Sequence, residues 1–249
     1  MDDNADVRKY IGNILGAEYH ILEAEDGEKG IEISCKKFPD LIISDVMMPG
    51  MDGIELCRRI KMDQVISHLP VILITARAGA EDKLEGLGTG ADDYITKPFD
   101  AAELRLRITN ILQQRKRLRK RFCQDLYVKP KEITVTSHDE RFISDLITFI
   151  DKHISDPDLD VSKICRESGL SHTHLNRKLM ALVDLSVVEF IRLMRLRRAK
   201  DLLEKKFGNI SEVAFEVGFN SVAYFSHCYR RQFGLNPSEV VNGNNRRKH

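Results

Sequence analysis

The sequence predicts a doubly wound, parallel α/β domain followed by an all-α domain with two helix-turn-helix units. Two observations in the chain of 249 residues predict this fold class. Strand and helix signals alternate over about the first 114 residues, and a short helical pattern near residue 160 recurs near residue 209. The length also suits two compact domains better than one.

Four short apolar runs mark the predicted strands of the first domain. Near-continuous apolar strands that alternate with helical segments are typical of a parallel sheet covered on both faces. The runs are residues 20–24 (HILEA), 41–44 (LIIS), 71–75 (VILIT) and 94–96 (YIT). Apolar residues at helical spacing predict helices at about residues 7–15, 31–35, 54–60 and 84–87, and from Ala101 into the basic run 115–121. We expect that basic run to be a solvated helix end and linker.

The second domain is predicted from an internal repeat, in which residues 160–171 align with residues 209–221. In each copy a polar residue can cap a helix, a glycine can end it with positive φ, and a serine can cap a second helix. Such a unit used twice is a duplicated helix-turn-helix, with residues 187–206 as a long connecting helix. The residues in the three roles are Asp160, Gly169 and Ser171 in one copy and Asn209, Gly218 and Ser221 in the other.

Charge is divided unevenly along the chain, with net −8 over residues 1–114, +5 over residues 115–141 and +4 over residues 142–249. An acidic front half and a basic back half predict a cation or phosphate site in the first and a polyanion partner for the second. There is no apolar run near the ~18 residues of a membrane span and no signal peptide. Five scattered cysteines without a CxxC pair argue against a disulfide framework or structural zinc, so we expect the reduced cytoplasm. The domains are predicted at 1–114, 115–140 (a basic linker), 141–243 and 244–249 (a basic tail).

Acidic, basic and hydroxyl side chains follow the ends of the predicted strands. Asp45 ends one strand, Thr75 ends the next, and Lys97 follows the last. Asp2 and Asp3 stand just before the first helix, and the carboxyl ends of parallel strands are where such sheets collect function. Carboxylates suit Mg²⁺ and can accept a phosphoryl group, while a lysine and a threonine can contact the phosphoryl oxygens.

The segments SDVMMPGMDG, VILITA and GADDYITKPF resemble the receiver domain of bacterial response regulators, in order and spacing, over about residues 1–115. The resemblance implies a flavodoxin-like fold, and it implies that Asp45 accepts a phosphoryl group from a histidine kinase in cis or in trans. It also implies Mg²⁺ as cofactor, a switch pair and a cis peptide bond between Lys97 and Pro98. The implied metal ligands are Asp3, Asp45 and the Met47 carbonyl with Asp2 in support, and the implied switch pair is Thr75 and Tyr94.

The first strand of that family is absent, because the acidic pair follows only Met1. In the family's sheet order this strand lies between the strands at 20–24 and 41–44, so the former lacks its partner. We therefore expect the chain to be a fragment, the C-terminal output part of a hybrid two-component sensor. Such a sensor would place this chain at the cytoplasmic end of a membrane-anchored protein.

Residues 209–240 are close to the signature of AraC-type DNA-binding domains, a resemblance that covers about residues 140–242. It implies two helix-turn-helix units in successive major grooves of double-stranded DNA, ~34 Å apart. A helical wheel independently gives the outward faces, on which Arg177 can read guanine, Asn176 adenine and Ala223 a thymine methyl. The predicted DNA-binding residues are Thr173, Asn176, Arg177 and Met180, then Val222, Ala223, Ser226, His227 and Arg230; the resemblance implies base reading by all of them except Met180 and Arg230, which the wheel places on the outward faces. Candidates for phosphate contact are Lys178, Arg192, Arg195, Arg197, Arg198, Arg230 and Arg231.

The combined prediction is a DNA-binding transcriptional regulator controlled by aspartyl phosphorylation, and not an enzyme with an external substrate. A phosphoryl group on Asp45 would draw Thr75 inward, Tyr94 would follow, and the nearby face would pair two chains as a homodimer or free the DNA-binding domain. RNA polymerase is a further candidate partner. Two alternatives stay open: an inert receiver used only for dimerisation, and a Mg²⁺-dependent aspartyl-phosphate phosphohydrolase.

Overall fold

The computed structural model describes residues 1–76, 90–124 and 136–246, so the helix predicted around Leu84 and Leu87 lies outside the described residues. The chain divides into two compact units, Met1–Glu140 and Arg141–His249. Within the described ranges, none of the helices combines the length and the apolar character needed to cross a membrane.

The first unit contains a parallel sheet covered by helices. Its strands, in spatial order, are β1 (Ile42–Asp45), β2 (Val71–Thr75) and β3 (Asp93–Thr96). In the register of the sheet, Ile42 pairs with Val71 and Ile72 pairs with Asp93. The helices are α1 (Ala5–Leu15), α2 (Gly27–Lys37), α3 (Gly53–Met62) and α4 (Ala101–Gln124).

The central strand β2 is buried on both faces, which makes the unit doubly wound. Val71 and Leu73 pack in a cluster with the inner side of α2 and α3, whereas Ile72 and Ile74 pack with α1 and α4. Side chains of a strand alternate between faces, so a continuous apolar run supplies both layers at once. The predicted α/β class is confirmed, and it carries the carboxyl ends of all three strands to one edge.

The predicted strand at residues 20–24 is wrong, since this segment is irregular in the structure. Along the adjacent edge of β1, Met1 makes a single parallel pairing. Its α-amino group donates to the Ile43 carbonyl at 2.7 Å, and its own carbonyl accepts from the N–H of Asp45 at 2.9 Å. Beyond Met1, a cavity of about 340 Å³ with Leu15, Ile33 and Ile42 in its wall lies beside the strand. Among the described backbone hydrogen bonds, residues 20–24 make one contact with the N-terminal residues, from the Asp2 N–H to the Ala24 carbonyl at 3.4 Å, and one such bond does not make a ladder.

The second unit is built from helices joined by short loops, with no strand among its described residues. Its helices are α5 (Ser137–Lys152, which crosses the division between the units), α6 (Val161–Ser168), α7 (His172–Val183), α8 (Val187–Glu204), α9 (Ile210–Glu216), α10 (Val222–Phe233) and α11 (Pro237–Arg246). Helix α8 is the predicted connecting helix, and it is buried on most of its circumference because both repeats pack on it.

Each repeat is built by local signals that the sequence contains. The side chains of Asp160 and Asn209 accept hydrogen bonds from the third residue of α6 and α9, as N-caps do. Gly169 and Gly218 have φ of 68° and 79°, which turns the chain into the second helix of each unit. The second helices begin at the N-caps Ser171 and Ser221, so the duplicated helix-turn-helix is confirmed.

Candidate phosphoryl site and DNA-binding surface

Three carboxylates and one ammonium meet at the carboxyl end of β1. One oxygen from each of Asp2, Asp3 and Asp45 lies within 4.8 Å of the other two. Lys97 Nζ donates to Asp45 Oδ2 at 2.9 Å and to Asp2 Oδ2 at 3.3 Å. Asp2 is 1% exposed and Asp45 6%, whereas Asp3 is at the surface. The site therefore has a buried carboxylate, Asp45, with the exposed Asp3 carboxylate beside it.

The acidic pair is held beside Asp45 by the backbone of the N-terminal residues. The pairing of Met1 with β1 places Asp2 next to the strand end, and Asp2 Oδ1 accepts from the N–H of Asn4 at 2.9 Å. Arg8 Nη1 donates to the carbonyls of Asp2 and Asp3 at 2.8 and 3.1 Å, which fixes both residues at the start of α1. The position of Asp2 and Asp3 beside Asp45 thus depends on the pairing of Met1 with β1, which the spacing of residues in the sequence does not show.

A glycine lets the start of α3 approach Asp45 closely. A Cβ added at Gly53 would lie 2.2 Å from the carbonyl oxygen of Asp45, a distance that real side chains do not adopt. The N–H of Gly53 also donates to the Val46 carbonyl at 2.9 Å. The loop after β1, with the half-buried Val46 and the exposed Met47, is therefore closed tightly beneath the site.

Lys97 remains a cation in this environment. Its partial burial lowers the pKa, but the hydrogen bond to Asp45 and the attraction of Asp45 and Asp2 outweigh it, so the net pKa of Lys97 is raised. The neighbouring α-amino group of Met1 shows the opposite result, because its burial dominates and lowers its pKa to about 6. A lysine that keeps its charge can neutralise the oxygens of a bound anion as a point charge.

The donor set fits Mg²⁺. Three carboxylates supply the hard oxygen ligands that this ion prefers, and their combined charge exceeds that of the one ammonium. The resemblance assigns Asp3 as a ligand and Asp2 as its support. In the structure both carboxylates reach the cluster, and it is Asp2 that is buried and contacts Lys97.

The two switch candidates lie on adjacent strands. Thr75 ends β2 and pairs with Thr96, and its carbonyl accepts from the N–H of Lys97 at 2.7 Å. Tyr94 pairs with Leu73, two residues back along the same ladder, and is half-buried against the core cluster of β1 and α3. The Lys97–Pro98 peptide is cis, as the resemblance implies.

The predicted DNA-reading residues lie on the outer sides of α7 and α10. The inner sides of these helices are fully buried at Leu175 and Leu179 and at Phe225 and Tyr229. The exposed members of the predicted set are Thr173, Arg177 and Met180 on α7 and Ala223, His227 and Arg230 on α10, with Asn176, Val222 and Ser226 half-buried. Contact of this set with bases stays a prediction.

Three of the predicted contacts are modified by packing. Asn176 Oδ1 accepts from the N–H of Val187 at 3.2 Å, so its amide oxygen holds the start of α8. Lys178 as a phosphate contact is wrong, because it is 2% exposed with Nζ 4.8 Å from the ring centroid of Phe142. Arg195 as a phosphate contact stays a prediction, although its side chain is half-buried and its Nη2 donates inward to the Asp156 carbonyl at 2.6 Å.

Sequence reasoning missed a buried ionic cluster in the first unit. Asp92 accepts from Lys61 Nζ at 2.6 Å and from Arg115 Nη2 at 3.0 Å, and none of the three side chains exceeds 10% exposure. The prediction of a solvated basic run at 115–121 is therefore wrong at its first residue. The three residues stand far apart in sequence and share no motif, so no local signal could have revealed them.

Two family models match the chain. Residues 1–109 match the model described as response regulator receiver domain, and residues 164–243 match the model described as helix-turn-helix domain.

Known proteins resemble the chain over its whole length or over its first half. "Histidine kinase P4" of Formosa agariphila is 42% identical over 242 residues, which are 97% of this chain and 18% of that protein. The "Phosphate regulon transcriptional regulatory protein PhoB" of Pseudomonas aeruginosa is 43% identical over 115 residues, 46% of this chain and 50% of that protein. The chain thus spans half or less of the length of these curated relatives. A crystal structure of the signal receiver domain of a histidine kinase from Syntrophus aciditrophicus covers 46% of this chain and 87% of its own, with 34% identity and a TM-score of 0.44.

Proposed function

Because the chain carries a response regulator receiver domain followed by an AraC-type helix-turn-helix domain, we propose that it is a sequence-specific transcriptional regulator controlled by phosphorylation of Asp45. The observation that supports this most directly is the Asp45 carboxylate, 6% exposed, contacted by Lys97 and clustered with Asp2 and Asp3. A carboxylate with an adjacent cation and a hard-cation site has the parts that phosphoryl transfer needs.

The proposed reaction takes a phosphoryl group from the phosphohistidine of a histidine kinase. An Asp45 carboxylate oxygen attacks phosphorus and forms the P–O bond, while the P–N bond breaks and its electron pair returns to the imidazole, which takes up a proton. The Lys97 ammonium offsets charge on the phosphoryl oxygens, and the Thr75 hydroxyl can donate to one of them. Mg²⁺, when held by Asp2, Asp3 and Asp45, would supply further charge neutralisation.

The proposed output is a change at the β3 and α4 face of the first unit. A phosphoryl group adds negative charge and strong acceptor oxygens within reach of Lys97 and Thr75. Tyr94, half-buried on β3 two residues back along the ladder, would then repack, and the altered face would pair two chains or release the DNA-binding domain. Double-stranded DNA, a histidine kinase, a second copy of the chain and RNA polymerase are the partners in this proposal, which places the chain in the cytoplasm.

One relative favours a more specific setting. A protein named histidine kinase P4 matches 97% of this chain with 18% of its own length. We therefore propose that this chain corresponds to the output part of a hybrid two-component protein, in which the kinase is supplied in cis.

The test is phosphate-affinity gel electrophoresis after treatment with acetyl phosphate and Mg²⁺. Wild type is expected to shift, Asp45→Asn is expected not to shift, and Asp40→Asn serves as a matched control at an exposed carboxylate outside the site. A shift that persists in Asp45→Asn would place the phosphoryl group elsewhere. The absence of a shift in wild type and both variants would favour the alternative of an inert receiver.

A further inference from the structure

Arg195, on helix α8, turns its side chain partly away from solvent and toward the loop that leads into the first helix-turn-helix unit. Arg195 Nη2 donates to the carbonyl of Asp156, in the loop that joins α5 to α6. The side chain of Asp156 organises the same loop, since Oδ1 accepts from the N–H of Asp158 at 2.9 Å and Oδ2 pairs with Lys163 Nζ at 2.7 Å. Lys163 stands in the first turn of α6. Arg195 is therefore tied to the residues that set where α6 begins.

The tight turn of the second helix-turn-helix unit packs against the same place. A Cβ added at Gly218 would lie 2.5 Å from the Ile154 carbonyl oxygen and 2.9 Å from Arg195 Cζ. The backbone of this turn thus contacts both the loop that joins α5 to α6 and the guanidinium group of Arg195. Only a residue without a side chain allows this approach, and the φ of +79° independently favours glycine.

The equivalent glycine of the first helix-turn-helix unit shows that a turn of this conformation does not require such a contact. Gly169 occupies the same position in the repeat and has φ of +68°, yet a Cβ there would meet nothing within 4 Å. The two turns share their backbone conformation and differ in their surroundings. The close packing at Gly218 is therefore a consequence of how the two helix-turn-helix units pack together.

The guanidinium group gives up hydration in this position. Arg195 is half-buried, burial lowers its pKa, and among the described residues its buried Nε finds no hydrogen-bond acceptor. Burial of an incompletely paired polar group is unfavourable for folding. A helix that served only as a covalent bridge between the units would need no such group.

We propose that Arg195 and Gly218 form a clamp that fixes the second helix-turn-helix unit against the first and so determines the single half-site spacing at which α7 and α10 bind DNA together. The proposal rests on the DNA binding proposed above. Two linked modules gain affinity only when their geometry matches the separation of their sites, and each added base pair rotates and displaces one half-site relative to the other. Arg195 is on this account a positioning residue and does not itself contact DNA.

The first experiment is selection from a library of randomised duplexes by wild type, Arg195→Met and Lys205→Met. Lys205 lies at the exposed end of the same helix and provides a matched loss of charge. Wild type and Lys205→Met are expected to enrich one half-site spacing, with spacings one base pair away depleted about tenfold or more. Arg195→Met is expected to enrich two or more spacings to within about threefold of each other. An Arg195→Met variant that keeps the single wild-type spacing would overturn the clamp.

The second experiment compares Gly218→Ala with Gly169→Ala by hydrogen exchange without DNA. Both variants strain a residue with positive φ, but only the first adds an atom against Ile154 and Arg195. Exchange is expected to increase across residues 156–159 in Gly218→Ala and in Arg195→Met, and to stay at the wild-type rate there in Gly169→Ala. Equal exchange in the two glycine variants would contradict the proposal. If wild type enriches no duplex, the proposed DNA binding fails, and this exchange result still decides whether the clamp exists.

Discussion

The candidate phosphoryl site of the first unit (the acid site: Asp2, Asp3, Asp45 and Lys97) and the predicted DNA-reading surface of the second unit (the reading surface) are assembled in different ways. The acid site joins Asp2, Asp45 and Lys97, which are brought together by strand pairing across 95 residues of sequence. The reading surface is built from two copies of a short pattern in which cap, glycine and cap follow within a dozen residues. The acid site therefore depends on the strand pairings of the sheet, whereas each helix-turn-helix copy forms from its own local signals.

The largest effect is expected from removing the only cation that contacts Asp45 in the described hydrogen bonds. Lys97→Met should slow phosphorylation by acetyl phosphate by about 10²-fold or more, because loss of one group that stabilises developing charge has an effect of that size. Time courses on phosphate-affinity gels measure the rate. Lys9→Met, at an exposed position on α1, is the matched control and should react at the wild-type rate. Equal rates for both variants would separate Lys97 from the chemistry.

A smaller, position-specific effect is expected on the DNA surface. Arg177→Ala should weaken binding to a selected duplex by ~1–3 kcal/mol, about 5- to 150-fold, and relax base preference at one position. Its side chain is exposed on α7, so the fold should tolerate the change. Titrations with duplexes that differ at each base pair measure this. A uniform loss with no change in preference would mean that Arg177 contacts phosphate instead.

Asn176 should behave differently from Arg177 although both lie on the same face of α7. Its amide oxygen already accepts from the N–H of Val187, so Asn176→Ala should lower the free energy of unfolding by about 0.5–1.5 kcal/mol. Its effect on base preference should be smaller than that of Arg177→Ala. Chemical denaturation of both variants measures the first quantity. An Asn176→Ala variant of wild-type stability would show that the hydrogen bond to α8 contributes nothing.

An effect on stability of similar size is expected from the helix caps, which test whether the two copies are equivalent. Asn209→Ala and Asp160→Ala should each lower the free energy of unfolding by ~0.5–2 kcal/mol. Asn209 also takes part in a capping box with Glu212, so its loss should have the larger effect. Thermal or denaturant unfolding of the two variants gives the comparison. A larger loss of stability for Asp160→Ala than for Asn209→Ala would mean that the second copy relies less on its cap than the first copy does.

The contrast explains what the sequence could predict and what it could not. The caps, the glycine turns and the buried faces of α7 and α10 follow from residues a few positions apart, and the repeat made them visible. The identity of the acid-site residues followed from strand ends and a specific resemblance. The strand at 20–24 was wrongly predicted, because its own residues favour a strand and this preference was given more weight than the lack of a pairing partner that the resemblance already implied.

The inward turn of charged side chains was also beyond sequence reasoning. Lys178 and Arg195 occupy helix positions at which a long basic side chain is predicted to be exposed to solvent. Their burial follows from the neighbouring elements that pack against them. The ion cluster around Asp92 has the same origin, as Lys61 and Arg115 reach it from two separate helices. Long side chains make such contacts without changing local propensity.

The most direct test of the account is the affinity of the full chain for its selected duplex before and after treatment with acetyl phosphate and Mg²⁺, for wild type and Asp45→Asn. The account predicts that treatment changes the affinity or the oligomeric state of wild type on DNA and leaves Asp45→Asn unchanged. Phosphorylated wild type that binds with the same affinity and oligomeric state as the untreated chain would contradict it.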